Sequence, residues 1–254
     1  PEVLSAACKE AASVSSQGSV IVQDFVTGPE ITVTGWATGG RFGLGSVTDR
    51  HTFNRPPATG VCLQHVYPSR QPSGIIQRCH ELAQAVCDVY GLNHGPLYMQ
   101  CIVAEGKVWI VEATCRLGGG HDPHIVEYAT GVDFDAQMLE LCLTGESCPG
   151  PALPVFPVAD RHNLINFMLA RPGIFSTQIL PTGAEVISGA FYHDPGYEQE
   201  VIANGLGRVG YLHCRGSSRE DLLSNARKAY AECQILDENN ENLLFWPDAE
   251  HLNL

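Results

Sequence analysis

The run VWIVEATCRLGGGHDPH, residues 108–124, decides how this chain is read. Val108 to Val111 is an apolar stretch rich in β-branched and aromatic residues, the composition of a strand. Glu112, Thr114 and Arg116 then take alternate positions, so a carboxylate, a hydroxyl and a guanidinium share one strand face. Gly118, Gly119 and Gly120 follow as backbone without side chains. Just upstream, LYMQCIV (97–103) pairs with KVWIVEA (107–113) as a hairpin around AEG (104–106). A three-residue loop, Glu105 to Lys107, would set Gln100 directly across from Glu112, whereas a two-residue loop would put them on opposite faces. A joint site therefore requires the odd-length loop.

With that loop, a carboxylate and an amide oxygen converge where a hard cation could sit. Mg²⁺ takes a few protein oxygens, keeps several waters and shares its remaining positions with phosphates. Arg116 suits bidentate clamping of an anionic oxygen, and Gly118–Gly120 can bring bare N–H groups close to a phosphate or an oxyanion. The same residues also read as an edge hairpin with a surface Glu112–Arg116 salt bridge and a flexible loop. Both readings stand on this stretch alone. HDPH carries His121 and His124, but no third nitrogen or sulfur ligand follows at a zinc spacing.

Working outward, SVIVQDFV (19–26) reads as a strand, GPE as a turn and ITVTGWA (31–37) as a second strand. The meander continues through TGGRFGLGSVTDRH and ATGVCLQHVYP, where His65 could face the pocket or the core. Residues 68–73 are a loop. Ile75, Ile76, Cys79, Leu82, Ala83, Val86 and Val89 then repeat at helical spacing up to Gly91. HIVEYATG and DFDAQMLELCLTG are two helices closed by glycines, and SCPGPALP (147–154) is the clearest linker. NLINFMLA, IFSTQIL, AEVISGAFY and RVGYLHCRG read as strands. SSREDLLSNARKAYAECQI reads as a helix with a capping box at Ser217 and Glu220, and core positions Leu222, Leu223, Ala226, Ala229, Tyr230 and Cys233. The tail after Leu236 is polar and reads as loose. The class is α+β, with units at 1–150, 151–237 and a polar tail at 238–254.

The composition narrows the partners. Fifteen Lys and Arg against 28 Asp and Glu give a formal charge of -13 over 254 residues. That balance argues against passive binding to nucleic acid or an anionic membrane, since both need a cationic surface. The ten cysteines occur singly, several inside apolar runs, which reads as free thiols in a reducing cytoplasm. No apolar run is long enough to cross a bilayer.

Taken in order, VIVQDFVTGPEITVTG, VTDRHTF, VCLQHVYPS, the 75–90 helix, GLNHGPLYMQCIV and VWIVEATCRLGGG resemble the C-terminal lobe of the ATP-grasp superfamily. The antiparallel-sheet lobe is most similar to that of carboxylate–amine ligases such as L-amino-acid ligases; carbamoyl-phosphate synthetases and biotin carboxylase are more distant. The resemblance covers roughly residues 15 to 145, and the later strands look like the small strand-rich subdomain that closes such ligases. It implies that Gln23, Asp24, Phe25 and Val26 form the hinge that holds adenine, through the Asp24 carbonyl and the Val26 N–H. Glu30 would take the ribose hydroxyls. Gln100 and Glu112 match the metal-ligand positions, and Thr114 stands where the family usually has Asn. Arg116 matches the residue that orients the acyl group, and Gly119, Gly120 and His121 lie where relatives form the acceptor site.

The implied ligands are ATP, Mg²⁺, a small carboxylate and an amine. The implied partner is the family's other lobe, with its phosphate-binding lysines and glycine-rich flap. The only lysines here are Lys9, Lys107 and Lys228, none in that context. The chain therefore reads as the C-terminal part of a longer ligase, or as one half of a split, carbamoyl-phosphate-synthetase-like enzyme, inactive alone. A degenerate lobe kept for binding or assembly is the rival reading, and a carboxylase or kinase-like phosphoryl transfer a third. Exposed sheet edges could pair in a homodimer.

Overall fold

The computed structural model describes residues 2–145, 150–153, 161–247 and 252–253. A first helix, α1 (Glu2–Val14), precedes an extended segment without secondary structure that runs to Gly28. The expected strand over 19–26 is not formed. Ile21, Val22 and Phe25 are 85%, 63% and 94% exposed, and no described strand pairs with them. β propensity alone does not make a strand; the backbone needs a partner.

Alternation builds the sheet that follows. β1 (Glu30–Thr38) lies between β2 (Arg41–Arg55) and β4 (His94–Ala104), antiparallel to both. Ile31 and Val33 point to one face, where Leu97, Met99 and Cys101 join them beneath α2 (Ser73–Tyr90). The helix contributes Cys79, Ala83 and Cys87, all buried, and Gly91 ends it in the left-handed conformation (φ 64°) that its C-cap requires. Each large aliphatic side chain fully buried there stabilises the fold by about 1.5–3 kcal/mol. Thr32, Thr34 and Thr48 point to the other face.

β3 (Ala58–Tyr67) continues the meander, and β5 (Lys107–Thr114) forms the edge beside β4. α3 (Asp122–Thr130) and α4 (Phe134–Thr144) cover the face opposite α2, with Val126 and Phe134 packed on Trp36. Residues 147–149 and 154 of the expected linker lie outside the described residues.

The later strands are β6 (Asn163–Ala170), β7 (Gly173–Ile174), β8 (Thr177–Ile179), β9 (Val186–Phe191), β10 (Glu198–Gln199) and β11 (Arg208–Arg215). After α5 (Arg219–Glu232) come β12 (Gln234–Leu236), β13 (Leu244–Phe245) and β14 (Leu252–Asn253). β6 pairs with β3, so these strands extend the first sheet in the order β5-β4-β1-β2-β3-β6-β11-β9. They also build a core of their own, where Leu222, Ala226 and Ala229 of α5 meet Leu164, Met168 and Leu212.

Two local readings need correction. The α5 cap is Ser218, whose hydroxyl accepts from the Asp221 N–H, while Asp221 reaches back to the Ser217 N–H. The capping box thus sits one residue later than Ser217 and Glu220, with Asp in place of Glu. The tail is not loose either. Leu243 and Leu244 are buried, β13 pairs with β6, and β14 pairs with β2. A polar composition hid two apolar anchors.

Candidate functional site

The β4–β5 connection is not the three-residue loop that a shared site was expected to need. Ala104 pairs with Lys107 across a two-residue turn, and Glu105 and Gly106 both have positive φ (52° and 71°), as a tight hairpin turn requires. That turn alone would set Gln100 and Glu112 on opposite faces. A bulge reverses the outcome: Cys101 pairs with Ile110 and Gln100 with Glu112, so Val111 is an extra residue that swings the rest of β5 round. Gln100 and Glu112 end up directly opposite one another.

Around them the sheet presents a polar face. Glu30, at the start of β1, forms an ion pair with Arg50 of β2. Gln100 Nε2 donates to the same carboxylate at 3.2 Å, which directs its amide oxygen away from Glu30. Arg50 is further held by the Gly60 carbonyl at 3.0 Å. Glu112 is exposed and makes no hydrogen bond or ion pair with a described residue, and Thr114 follows two residues later, partly buried. Arg116 is exposed, with its guanidinium 5.8 Å from the Tyr98 ring centre and donating to the Leu117 carbonyl at 2.8 Å. The Glu112–Arg116 salt bridge of the alternative edge-hairpin reading is absent among the described residues.

The glycines after β5 serve two different purposes. A Cβ on Gly118 would collide with the Asp122 carboxylate and lie 2.7 Å from the Tyr98 ring, and one on Gly120 would lie 2.5 Å from His65 Nε2. A Cβ on Gly119 would meet nothing within 4 Å. Only the outer two let the backbone approach its neighbours; the middle one is simply exposed.

Behind this loop lies a cluster that sequence spacing concealed. Cys62 and His65 are three apart, which in a regular strand would separate them. Leu63 is an extra residue in β3, since Gln64 pairs with His51 and Cys62 with Thr52. The bulge returns both side chains to one face, with Cys62 Sγ 3.2 Å from His65 Nε2. His65 Nδ1 lies 3.3 Å from the Thr48 hydroxyl and 3.9 Å from the buried Asp122. Burial alone would lower the His65 pKa, but Cys62 and then Asp122 outweigh it and hold it above the usual value. Burial likewise pushes the Cys62 thiol up, and His65, then Arg50 and Arg208, pull it below the ordinary range. Each of the two thus stabilises the charged form of the other.

His121 sits at the start of α3 with positive φ (57°). It stacks on Tyr211 at 3.8 Å, and its Nε2 lies 2.8 Å from the Tyr192 hydroxyl. His124 and His213 stack beside it. Burial first, then His124 and Arg208, push the His121 pKa down to about 4; burial first, then His124 and His121, push His213 to about 3. Both are neutral at neutral pH. With His124, Glu127, Tyr128, Arg161 and Tyr211, His213 borders a cleft of about 560 Å³.

The structure brings Glu30, Gln100, Glu112 and Thr114 to one region of the sheet, and stacks His121 on Tyr211, a residue that lines the cleft. It leaves Gln23, Asp24 and Phe25 exposed and Val26 partly buried on the unpaired segment. Among the described residues no group of three His, Cys, Asp or Glu is placed to hold a metal ion. No described helix is long and apolar enough to cross a membrane. The cysteines of the described residues are free thiols.

No known family profile matches the chain. An uncharacterized protein of Sinorhizobium fredii, y4rH, is 26% identical over 249 residues, covering 92% of this chain and 49% of that protein. Among solved structures, the L-amino acid ligase of Bacillus licheniformis superposes with a TM-score of 0.72 at 18% identity, over 85% of this chain and 53% of that one. The biotin carboxylase domain of the Hydrogenobacter thermophilus 2-oxoglutarate carboxylase, solved with MgADP and bicarbonate, gives 0.73 at 16%, over 92% and 52%. This chain thus spans about half the length of the proteins it matches.

Proposed function

We propose that this chain, whose fold is that of the ATP-grasp enzymes, is the C-terminal lobe of an ATP-dependent ligase that joins a carboxylate to an amine through an acyl phosphate. The observation that carries the reading is the Val111 bulge, which puts Gln100 opposite Glu112 on the face that also holds Glu30 and Arg50. A bulge that re-aims a side chain toward a shared site is a device, not an accident of packing.

The residues fit a Mg²⁺·ATP tail. Glu112 has no competing protein partner, and Gln100 is oriented by Glu30 so that its oxygen is available. Two protein oxygens are what Mg²⁺ asks for when phosphates and waters complete its shell, so the lack of a three-ligand cluster is no obstacle. When bound, the ion would neutralise charge on the transferring phosphoryl group. Thr114 adds a weaker hydroxyl. Arg50 supplies a fixed cation beside these oxygens, which sequence reasoning had not singled out.

The remaining roles are positional. Arg116, placed against Tyr98, would steady the anionic acyl group, and the exposed Gly119 backbone would face its developing oxyanion. In the neighbouring cleft, Glu127 would attract an amine as its ammonium, while neutral His213 would accept a hydrogen bond from it without repelling it. The exposed hinge stretch 23–26 would gain its partners from a second lobe, on the same polypeptide or another, that closes over the nucleotide. This chain by itself is expected to bind ATP weakly, since each lost charge-assisted hydrogen bond costs ~1.5–3 kcal/mol.

The test is substrate-dependent ADP release by a protein containing both lobes. Glu112→Gln should reduce it by about 10²–10³-fold with the fold intact, the size seen when one charge-stabilising group is removed. Unchanged turnover would favour a lobe retained for binding or assembly.

A further inference from the structure

On the sheet face opposite the polar cluster lies a second cavity, of about 510 Å³. His51 and Gln64 form its floor because they alternate with Arg50 and His65 along β2 and β3, and Asn166 of β6 joins them. These three are at least nine-tenths buried and form a directional chain. His51 Nδ1 donates to Gln64 Oε1 at 3.0 Å, and Gln64 Nε2 donates to Asn166 Oδ1 at 2.7 Å. Burial lowers the His51 pKa, so its ring is neutral and the other nitrogen, Nε2, is an acceptor. His51 Nε2 and Asn166 Nδ2 are both buried and without a hydrogen-bond partner. A buried polar group without a partner is costly, and here one end of the chain offers an acceptor and the other a donor.

The walls and rim extend the pattern. Tyr230 of α5 and Trp246 of the tail stand edge to face at 5.2 Å. Arg70, Arg219 and Arg227 line the opening, a concentration of cations on a chain of net charge -13. Asp49 pairs with both Arg219 (2.6 Å) and Arg70 (3.4 Å), and Arg227 has no ion pair among the described residues. No acidic side chain lines the cavity among the described residues, so the rim keeps an uncompensated positive charge.

We propose that this cavity is a binding site, separate from the nucleotide face, for a small planar organic anion. A polar edge that both donates and accepts meets the His51–Gln64–Asn166 floor, the ring lies along Tyr230 and Trp246, and the anionic group meets Arg227 at the rim. Such a ligand satisfies the two orphaned floor atoms and the unpaired guanidinium together. Its floor residues stand next to Arg50 and His65 in sequence, so occupancy is felt by the same two strands that carry the polar cluster.

The probe is 4-carbamoylbenzoate, titrated into this chain by calorimetry and by fluorescence, with Trp246→Phe assigning the signal. Saturable one-to-one binding is expected. Benzoate, without the amide edge, and benzamide, without the anion, should each bind more weakly. Arg227→Glu should weaken the probe about ten-fold or more, the value of one charge-assisted contact. Ala231→Phe, which narrows the opening at an exposed helix position, should weaken it comparably; circular dichroism of both variants should match the parent. Absence of binding, equal binding of all three compounds, or affinity indifferent to both variants would overturn the proposal.

Discussion

Residues 19–26, SVIVQDFV, and residues 107–114, KVWIVEAT, are the same kind of sequence, yet only the second is a strand. Their burial differs: Trp109, Ile110 and Val111 are 46%, 37% and 41% exposed on an edge strand, against 85%, 63% and 94% for Ile21, Val22 and Phe25. A further difference is that β5 has β4 to hydrogen-bond with, while 19–26 has no strand beside it among the described residues. Propensity says that a segment suits a sheet; only a free backbone edge at the right place makes it one. The unpaired run also carries the proposed adenine hinge, and the paired one the proposed metal ligand.

The strongest way to break this comparison is proline. Cys101 lies on β4 between β1 and β5, in the interior of the sheet, so Cys101→Pro should cost about 3 kcal/mol or more and prevent stable folding. Val22→Pro should change the unfolding free energy by less than about 0.5 kcal/mol. If both were equally harmful, 19–26 would be paired after all.

Acid sharpens the contrast at the far end of the sheet, where β11 is paired on both sides. His213 is 2% exposed with its pKa pushed to about 3, so between about pH 6.5 and 3 the unfolded chain binds a proton that the folded chain refuses. The stability contributed by the neutral ring is complete above the unfolded value and is lost as pH falls. The loss is on the order of 4 kcal/mol. Urea midpoints across that range should flatten in His213→Gln.

At the exit of β5 the effect is smaller. Gly118→Ala meets Tyr98 and Asp122 and should cost about 1–3 kcal/mol. Gly119→Ala, one residue on, should stay within about 0.5 kcal/mol. Thermal denaturation distinguishes the two.

Much of the fold was legible because alternation and helical spacing are periodic signals. The strands around 31–37 and 97–113, the 75–90 helix and the class α+β all followed from them. Single-residue irregularities were not legible. The facing of Gln100 and Glu112 was anticipated from a three-residue loop, and the molecule reaches it by a two-residue turn plus an extra Val111. The Cys62–His65 contact depends on an extra Leu63 in the same way. A period of two has no mark for where it slips, and each slip exchanges the faces of everything beyond it. Arg50 and Asp122 were overlooked for a related reason: their importance lies in partners from distant strands. The tail misled through its average polarity, which concealed Leu243 and Leu244.

The central claim is that the Val111 bulge makes Gln100 and Glu112 one cation site. Manganese serves as a paramagnetic stand-in for magnesium, titrated with ATP into a protein containing both lobes and read by electron paramagnetic resonance. The account predicts a bound signal that Glu112→Gln removes and that deletion of Val111 preserves, because the shortened strand then faces Gln100 without a bulge. A signal untouched by Glu112→Gln would contradict it.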